Sequence, residues 1–242
     1  MDDSEGVMRV AEPADVAAAL ERGGRVQDGP GDRFTGYAVL GVTFTSGDVL
    51  ALRRFPISSS GPGYTSVWHR SPSGRWTFYT DVAGHGCAEY FGPALDEVVV
   101  APIRIEWSGP RSVSIAVDGG RRLVWSLLMR STPLTRAFNA VGPWLAPVLT
   151  KHPRLLRPLA LIARILFHTG PLRLIGRAPN GTGFAGTPWA VWIVRSSRAC
   201  IGGQDTGPNR PLDRSLSLGE FFIPRRGLFA ASHAAMSVTR PS

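Results

Sequence analysis

Between Ser131 and Gly170 the two-residue alternation that marks most of this chain stops. The sequence on either side reads as strands. Inside the stretch it is apolar, helix-like and punctuated by Pro143, Pro147, Pro153 and Pro158. A period of two buries one face of a strand, and a period of 3.6 buries one stripe of a helix, so one segment does not serve both. The pattern predicts a mainly β (α+β) protein: an antiparallel β barrel with a helical insertion at 131–170. Residues 1–34 are read as an N-terminal helix and loop, and 35–242 as a single β-barrel domain.

Charge sharpens the contrast. From Gly119 to Gln204 the chain has no carboxylate, while eleven arginines and Lys151 fall in the same interval. The net charge of +9 is therefore concentrated there. Such a surface attracts phosphates, acidic ligands or anionic membrane. Nucleic acid is not the expected partner, because the basic clusters lack interleaved aromatics that would stack on bases. Lysine occurs once among 27 basic residues, a bias that codon composition alone can produce.

Cys87 and Cys200 are the only cysteines, too few and too far apart for a disulfide framework. The acidic start MDDSEG lacks the apolar core of a signal peptide, and no apolar run reaches bilayer length. The expectation is a reduced, cytoplasmic protein, with membrane association and homo-oligomerisation left open.

In chain order, Glu12–Arg22 reads as a short helix with Pro13 in its first turn. Strands are expected at Val42–Phe44 and Val49–Phe55, in a hairpin of Tyr64–Arg70 with Arg75–Asp81, and at Val98–Trp107, Ser112–Asp118 and Leu123–Met129. The insertion is expected as short helical pieces, because proline removes a donor and crowds the preceding turn. In Arg154–His168, Leu155, Leu159, Ile162 and Leu166 form one stripe, expected to pack on the barrel or a ligand, with the arginines facing outward. Strands resume at Leu172–Gly176, Trp189–Arg195 and Ala199–Gly202, and the tail from Pro208 reads as a loop that docks through its aromatics.

Gly181-Thr-Gly183-Phe-Ala-Gly186 matches a dinucleotide-binding glycine pattern, but Pro188 and a β-rich run follow where a helix should open, so a glycine-rich turn is the better reading. No cofactor and no metal are expected. Asp81, His85, Cys87 and Glu89 are the densest set of reactive side chains, and glycines at 84 and 86 let the backbone bend around them. A Cys beside a His suits nucleophilic chemistry, and a carboxylate beside a tyrosine suits proton transfer. A solvated loop accounts for the same residues. Tyr64, Trp68 and Trp125 lie in predicted strands, as pocket walls or simply as core.

The run Cys87-Ala-Glu-Tyr-Phe-Gly-Pro93, the strands that end at Met129, the helical stretch and the later WAVWIVRSSRACIGG together resemble the acetoacetate decarboxylase-like superfamily. The resemblance covers roughly Tyr64 to Gly207. It implies a cone-shaped barrel around a central apolar pocket, with Glu89 at the family's active-site glutamate position. The family's Schiff-base lysine has no counterpart after Met129, where Arg130 and Ser131 stand. A guanidinium stays protonated and forms no imine, so Arg130 would instead clamp a carboxylate or enolate. The expected function is a small-molecule pocket, in an enzyme acting without Schiff-base chemistry, for a carbonyl- or carboxylate-bearing apolar molecule. The alternative is a lipid or isoprenoid binder that meets anionic membrane through the insertion. A lipocalin-like barrel, suggested by the tryptophan-rich strands, is the rival fold.

Overall fold

The computed structural model describes residues 11–24, 26–84 and 86–237. Helix α1 (Pro13–Glu21) starts with proline at its first position, where the missing N–H costs nothing. Strands β1 (Asp32–Phe44), β2 (Val49–Ser58), β3 (Tyr64–Arg70) and β4 (Trp76–Thr80) then form an antiparallel meander. Helix α2 (Cys87–Phe91) carries the chain to β5 (Glu97–Val100), which pairs with β4 in parallel. A second meander follows in β6 (Ile103–Gly109), β7 (Ser112–Val117) and β8 (Leu123–Arg130). The insertion contains α3 (Pro133–Lys151) and α4 (Leu156–Leu166). After it come β9 (Ile175–Arg177), β10 (Gly183–Ile201), the short β11 (Gln204–Asp205) and β12 (Asn209–Arg210), and a ribbon of β13 (Leu216–Leu218) with β14 (Phe221–Ile223). The last element is β15 (Leu228–Ser237).

The main sheet runs β5-β4-β3-β2-β1-β15-β10-β8-β7-β6 and curls into a half-barrel with a helical insertion. Its two ends, β5 and β6, are consecutive in the chain. Ala101-Pro102 separates them, so the single strand expected over Val98–Trp107 is two strands in different parts of the sheet. Proline has no N–H to give to a ladder, which makes it a natural break.

Large apolar side chains pack on the concave face. Tyr37, Trp125, Trp192 and Phe229 are buried there with Val39, Leu52, Val67 and Ile115. Tyr37 stacks on Phe229 with centroids 5.5 Å apart, and the rings of Trp192 and Phe229 meet at 5.7 Å. These side chains fill part of the concave side, and Tyr37 also borders a cavity beside α1. A second cluster covers the other face of β1–β4, where Trp68 stacks on Phe78 at 4.3 Å and α2 supplies Tyr90 and Phe91.

Four other expectations change. Helix α3 is one continuous helix through Pro143 and Pro147, not short pieces. Both prolines are exposed and four residues apart, so the carbonyls that lose a partner lie toward solvent and water can satisfy them. In α4 the buried stripe is Leu156 and Ala160, with Phe167 just beyond; Leu155, Ile162 and Leu166 are exposed. The segments Trp189–Arg195 and Ala199–Gly202 belong to one strand, β10, which also contains Gly183 and Gly186 and has register shifts at Pro188/Ala190 and Val194/Ser196. The C-terminal tail is not a docked loop: β15 pairs with β1 and β10 in the middle of the sheet.

The insertion repairs a gap in that sheet. β8 pairs with β10 only from Ile193 onward, and β9 only at 183–185. Helix α3 lies along the intervening stretch. The Asn139 side chain accepts the Val191 N–H at 2.7 Å, and Gly142 sits against the Trp189 backbone. A buried N–H without a partner would be costly, so Asn139 replaces the missing strand at one rung.

Candidate functional site

The residues singled out from sequence do not form one site. Glu89 is exposed on α2, and Arg130 is exposed on β8, where Leu123, Trp125, Leu127 and Met129 point into the core. His85 lies outside the described residues. Trp125 is fully buried and donates its indole N–H to Ser197 Oγ at 2.8 Å. Asp81 accepts the Thr65 N–H at 2.7 Å beside α1.

Three of the predicted residues do meet, around a side chain that sequence reasoning missed. The Arg53 guanidinium lies 4.3 Å from the Trp68 ring centroid, 4.5 Å from Phe221 and 5.2 Å from Phe91. Its Nη1 reaches Cys87 Sγ at 3.5 Å, and Cys87 also contacts the Tyr64 hydroxyl at 3.3 Å. No carboxylate pairs with Arg53 among the described residues. Ring quadrupoles attract such a cation, by about 0.5–2 kcal/mol per contact. Burial pushes the Tyr64 hydroxyl well above its ordinary pKa, leaving it a neutral donor. Adjacent Arg53 and Arg54 on a strand must face opposite ways, and that alternation was the available signal.

Arg54 faces the other side, where it holds Glu21 of α1 through two hydrogen bonds at 2.9 and 2.7 Å. Tyr37 OH donates to the same carboxylate at 3.0 Å. Burial works to raise the Glu21 pKa, but Arg54 and Tyr37 outweigh it and hold the group below the usual range. These residues line a cavity of about 730 Å³ together with Asp81, Ile105 and Trp107. Its polar groups are largely spent on one another.

A cavity of about 770 Å³ between the insertion and the sheet is differently provided. Leu149 and Thr150 of α3 and Leu156, Arg157 and Ala160 of α4 form one wall. Leu172, Leu174, Ile175 and Phe184 add apolar surface. On the sheet side, His233 stands beside Thr35 and Thr187 across β15, β1 and β10 by strand register. His233 Nδ1 and Thr35 Oγ1 are 2.9 Å apart. Burial lowers the histidine pKa, so the ring is neutral at pH 7. The side-chain oxygen of Gln27, also at the cavity, is buried without a hydrogen-bond partner among the described residues.

Four arginines line this space: Arg33, Arg157, Arg173 and Arg177. Glu220 is the one carboxylate among the lining residues. It accepts the Arg177 N–H at 2.7 Å and pairs with Arg173, contacts that hold its pKa low. Arg33 and Arg157 have no carboxylate partner among the described residues. Nothing at sequence level joined these residues, which come from positions 27 to 237. The arrangement offers apolar walls, two guanidiniums without a carboxylate partner among the described residues (Arg33 Nε donates to the Pro30 carbonyl at 3.2 Å), one amide and one neutral imidazole. No group of three or more metal-ligating side chains occurs among the described residues.

No family model matches the sequence. No curated protein is significantly similar to it. A solved structure described as acetoacetate decarboxylase from Legionella pneumophila subsp. pneumophila str. Philadelphia 1 is similar over 88% of this chain and 87% of that chain. Sequence identity is 10% and the TM-score 0.35. Likeness this weak carries no information about the site.

Proposed function

We propose that this protein binds an apolar small molecule bearing a carboxylate, in the cavity between the helical insertion and the sheet. The observation that carries the reading is the pairing of apolar walls with Arg33 and Arg157, which have no carboxylate partner among the described residues. At about 770 Å³ the space falls within the range of small-molecule sites, roughly 300–1,000 Å³. Guanidiniums bind carboxylates through charge-assisted, often bidentate hydrogen bonds. The amide of Gln27, whose oxygen has no partner among the described residues, can add a further bond, since rotating it exchanges acceptor for donor. His233 is the one lining side chain whose ordinary pKa lies near neutrality, and it is the group to substitute if turnover is found.

Calorimetry with decanoate and with decanol separates head from tail. Decanoate should bind at least about tenfold more tightly, because a hydrogen bond to a charged group contributes about 1.5–3 kcal/mol. Arg33→Gln together with Arg157→Gln should remove most of that preference while leaving decanol unchanged. Equal affinity for the two probes, or none for either, would sink the proposal. Glu89→Gln is expected to have no effect on decanoate binding, because the side chain is exposed on α2 and does not line the cavity.

The same site predicts a pH dependence. An anion held near His233 favours the protonated ring, so decanoate affinity should rise as pH falls below the ordinary histidine value of about 6.5. His233→Asn should flatten that profile. Stability moves the other way. The unfolded chain protonates its histidine near about pH 6.5, before the buried ring does. This contribution is therefore full above that value and is lost as pH falls toward the lower folded-state value. Chemical denaturation of the free protein at pH 7.5 and 5.5, compared between wild type and His233→Asn, checks the sign.

A further inference from the structure

The outward side of the insertion has the polarity of an element that does not end in water. Among the described residues, nine of the thirteen exposed large apolar side chains lie on the insertion, so the apolar exposure is concentrated rather than scattered. Trp144 is 83% exposed, and Leu145 and Val148 accompany it on α3. On α4, Leu161, Ile162 and Ile165 are more than half exposed. The inward side is already satisfied: Ala146, Leu149, Leu156 and Ala160 are buried against the protein. A patch of this kind on a folded protein marks a contact surface.

The charge around the patch indicates what it contacts. Arg136 and Lys151 on α3, Arg154 in the turn between the helices, and Arg157 and Arg164 on α4 are exposed, and residues 131–170 contain no Asp or Glu. None of the five pairs with a carboxylate among the described residues. A symmetric contact between two copies would place cations opposite cations with nothing to offset them. Neither helix is long and apolar enough to cross a membrane. Exposed Trp, Leu and Ile rimmed by arginine, on helices not long and apolar enough to span, are the features of a segment that lies in the plane of a bilayer interface.

We infer that α3 and α4 dock on an anionic lipid bilayer, with Trp144 and Ile165 below the headgroups and Lys151, Arg154 and Arg164 against lipid phosphates. The docking stands independently of the cavity's occupant. The test is sedimentation of the full chain with vesicles of phosphatidylcholine alone, and with equimolar phosphatidylcholine and phosphatidylglycerol. The expected result is binding to the anionic vesicles only, weakened by salt. Arg154→Gln with Arg164→Gln should lower it about twenty-fivefold, since each basic residue near such a surface is worth about fivefold. Trp144→Asp with Ile165→Asp should lower it by at least about tenfold, because each loses its apolar transfer and adds a like charge to the bilayer's own. Both pairs are exposed, and unchanged melting temperatures would show that the fold is intact. Quenching of tryptophan emission by bromolipid, lost in Trp144→Phe, reads insertion without a disruptive change. Absence from the anionic vesicle pellet overturns the inference. So does binding that ignores both double substitutions, or a solution dimer that Trp144→Asp dissociates, which would make a second copy the occupant.

Discussion

Trp125→Ala is expected to lower stability by about 3–5 kcal/mol, the usual cost of emptying a large aromatic site in a core. The ring is fully buried on the concave face of β8 among side chains from several strands, so few neighbours can collapse into the space. Its N–H adds a second loss. Trp125 donates to Ser197 Oγ at 2.8 Å, and that hydroxyl donates to the Ser126 carbonyl at 2.9 Å. Removing the indole leaves a buried hydroxyl short of one partner. Domains of ordinary stability have about 5–15 kcal/mol in total, so urea denaturation should show a much earlier midpoint or no folded baseline. Trp125→Phe separates the two losses: it keeps most of the ring and should cost about 1–3 kcal/mol. If Trp125→Ala melts within a degree or two of wild type, the concave face is not the packed core described here.

Gly142→Ala sets two effects against each other. Within a helix, alanine is favoured over glycine by about 0.8–1.0 kcal/mol. A Cβ at this position, however, would lie 2.1 Å from the Trp189 carbonyl oxygen and 2.8 Å from its carbon. Those are backbone atoms of β10, so they cannot swing aside as a flexible side chain would. Overpacking of this kind costs about 1–3 kcal/mol and here is expected at the upper end, giving a net loss of about 2 kcal/mol. The local readout is more specific than the melting temperature. The Val191 N–H, held by Asn139 three residues before Gly142, should exchange with solvent much faster in the variant. A variant more stable than wild type would mean that helix propensity wins and that α3 does not press on β10.

The β class and the place of the insertion were legible because they rest on a change of period, which is local. The hairpin of β3 and β4 was legible for the same reason. Three features were not. β15 reads LFAASHAAMS, and it carries no two-residue contrast because both of its faces are covered, no position being exposed. In α4 the apolar residues outnumber the places where the sheet could bury them, so a stripe chosen by hydrophobicity alone falls on the wrong side. Leu155 and Ile162 are exposed while the smaller Ala160 is buried. The cavity joins Gln27, Arg157 and His233, which no motif or spacing connects. Proximity in sequence drew attention to Asp81, Cys87 and Glu89, yet a strand and a helix carried them to different faces.

The cavity's helical wall is built from two unlike halves. The α3 half is bolted to the sheet by Asn139 and by the close approach at Gly142. The α4 half rests on Leu156, Ala160 and, at its end, Phe167, which meets Phe138 edge-on. The short turn at Pro153–Leu155 joins them. Any opening of the wall therefore works like a door hung on a fixed post: α3 stays and α4 swings, with the turn as hinge. Arg157 would travel with the door and Arg33 would remain on the frame, so opening the cavity would also pull apart the two cations best placed to hold an acid.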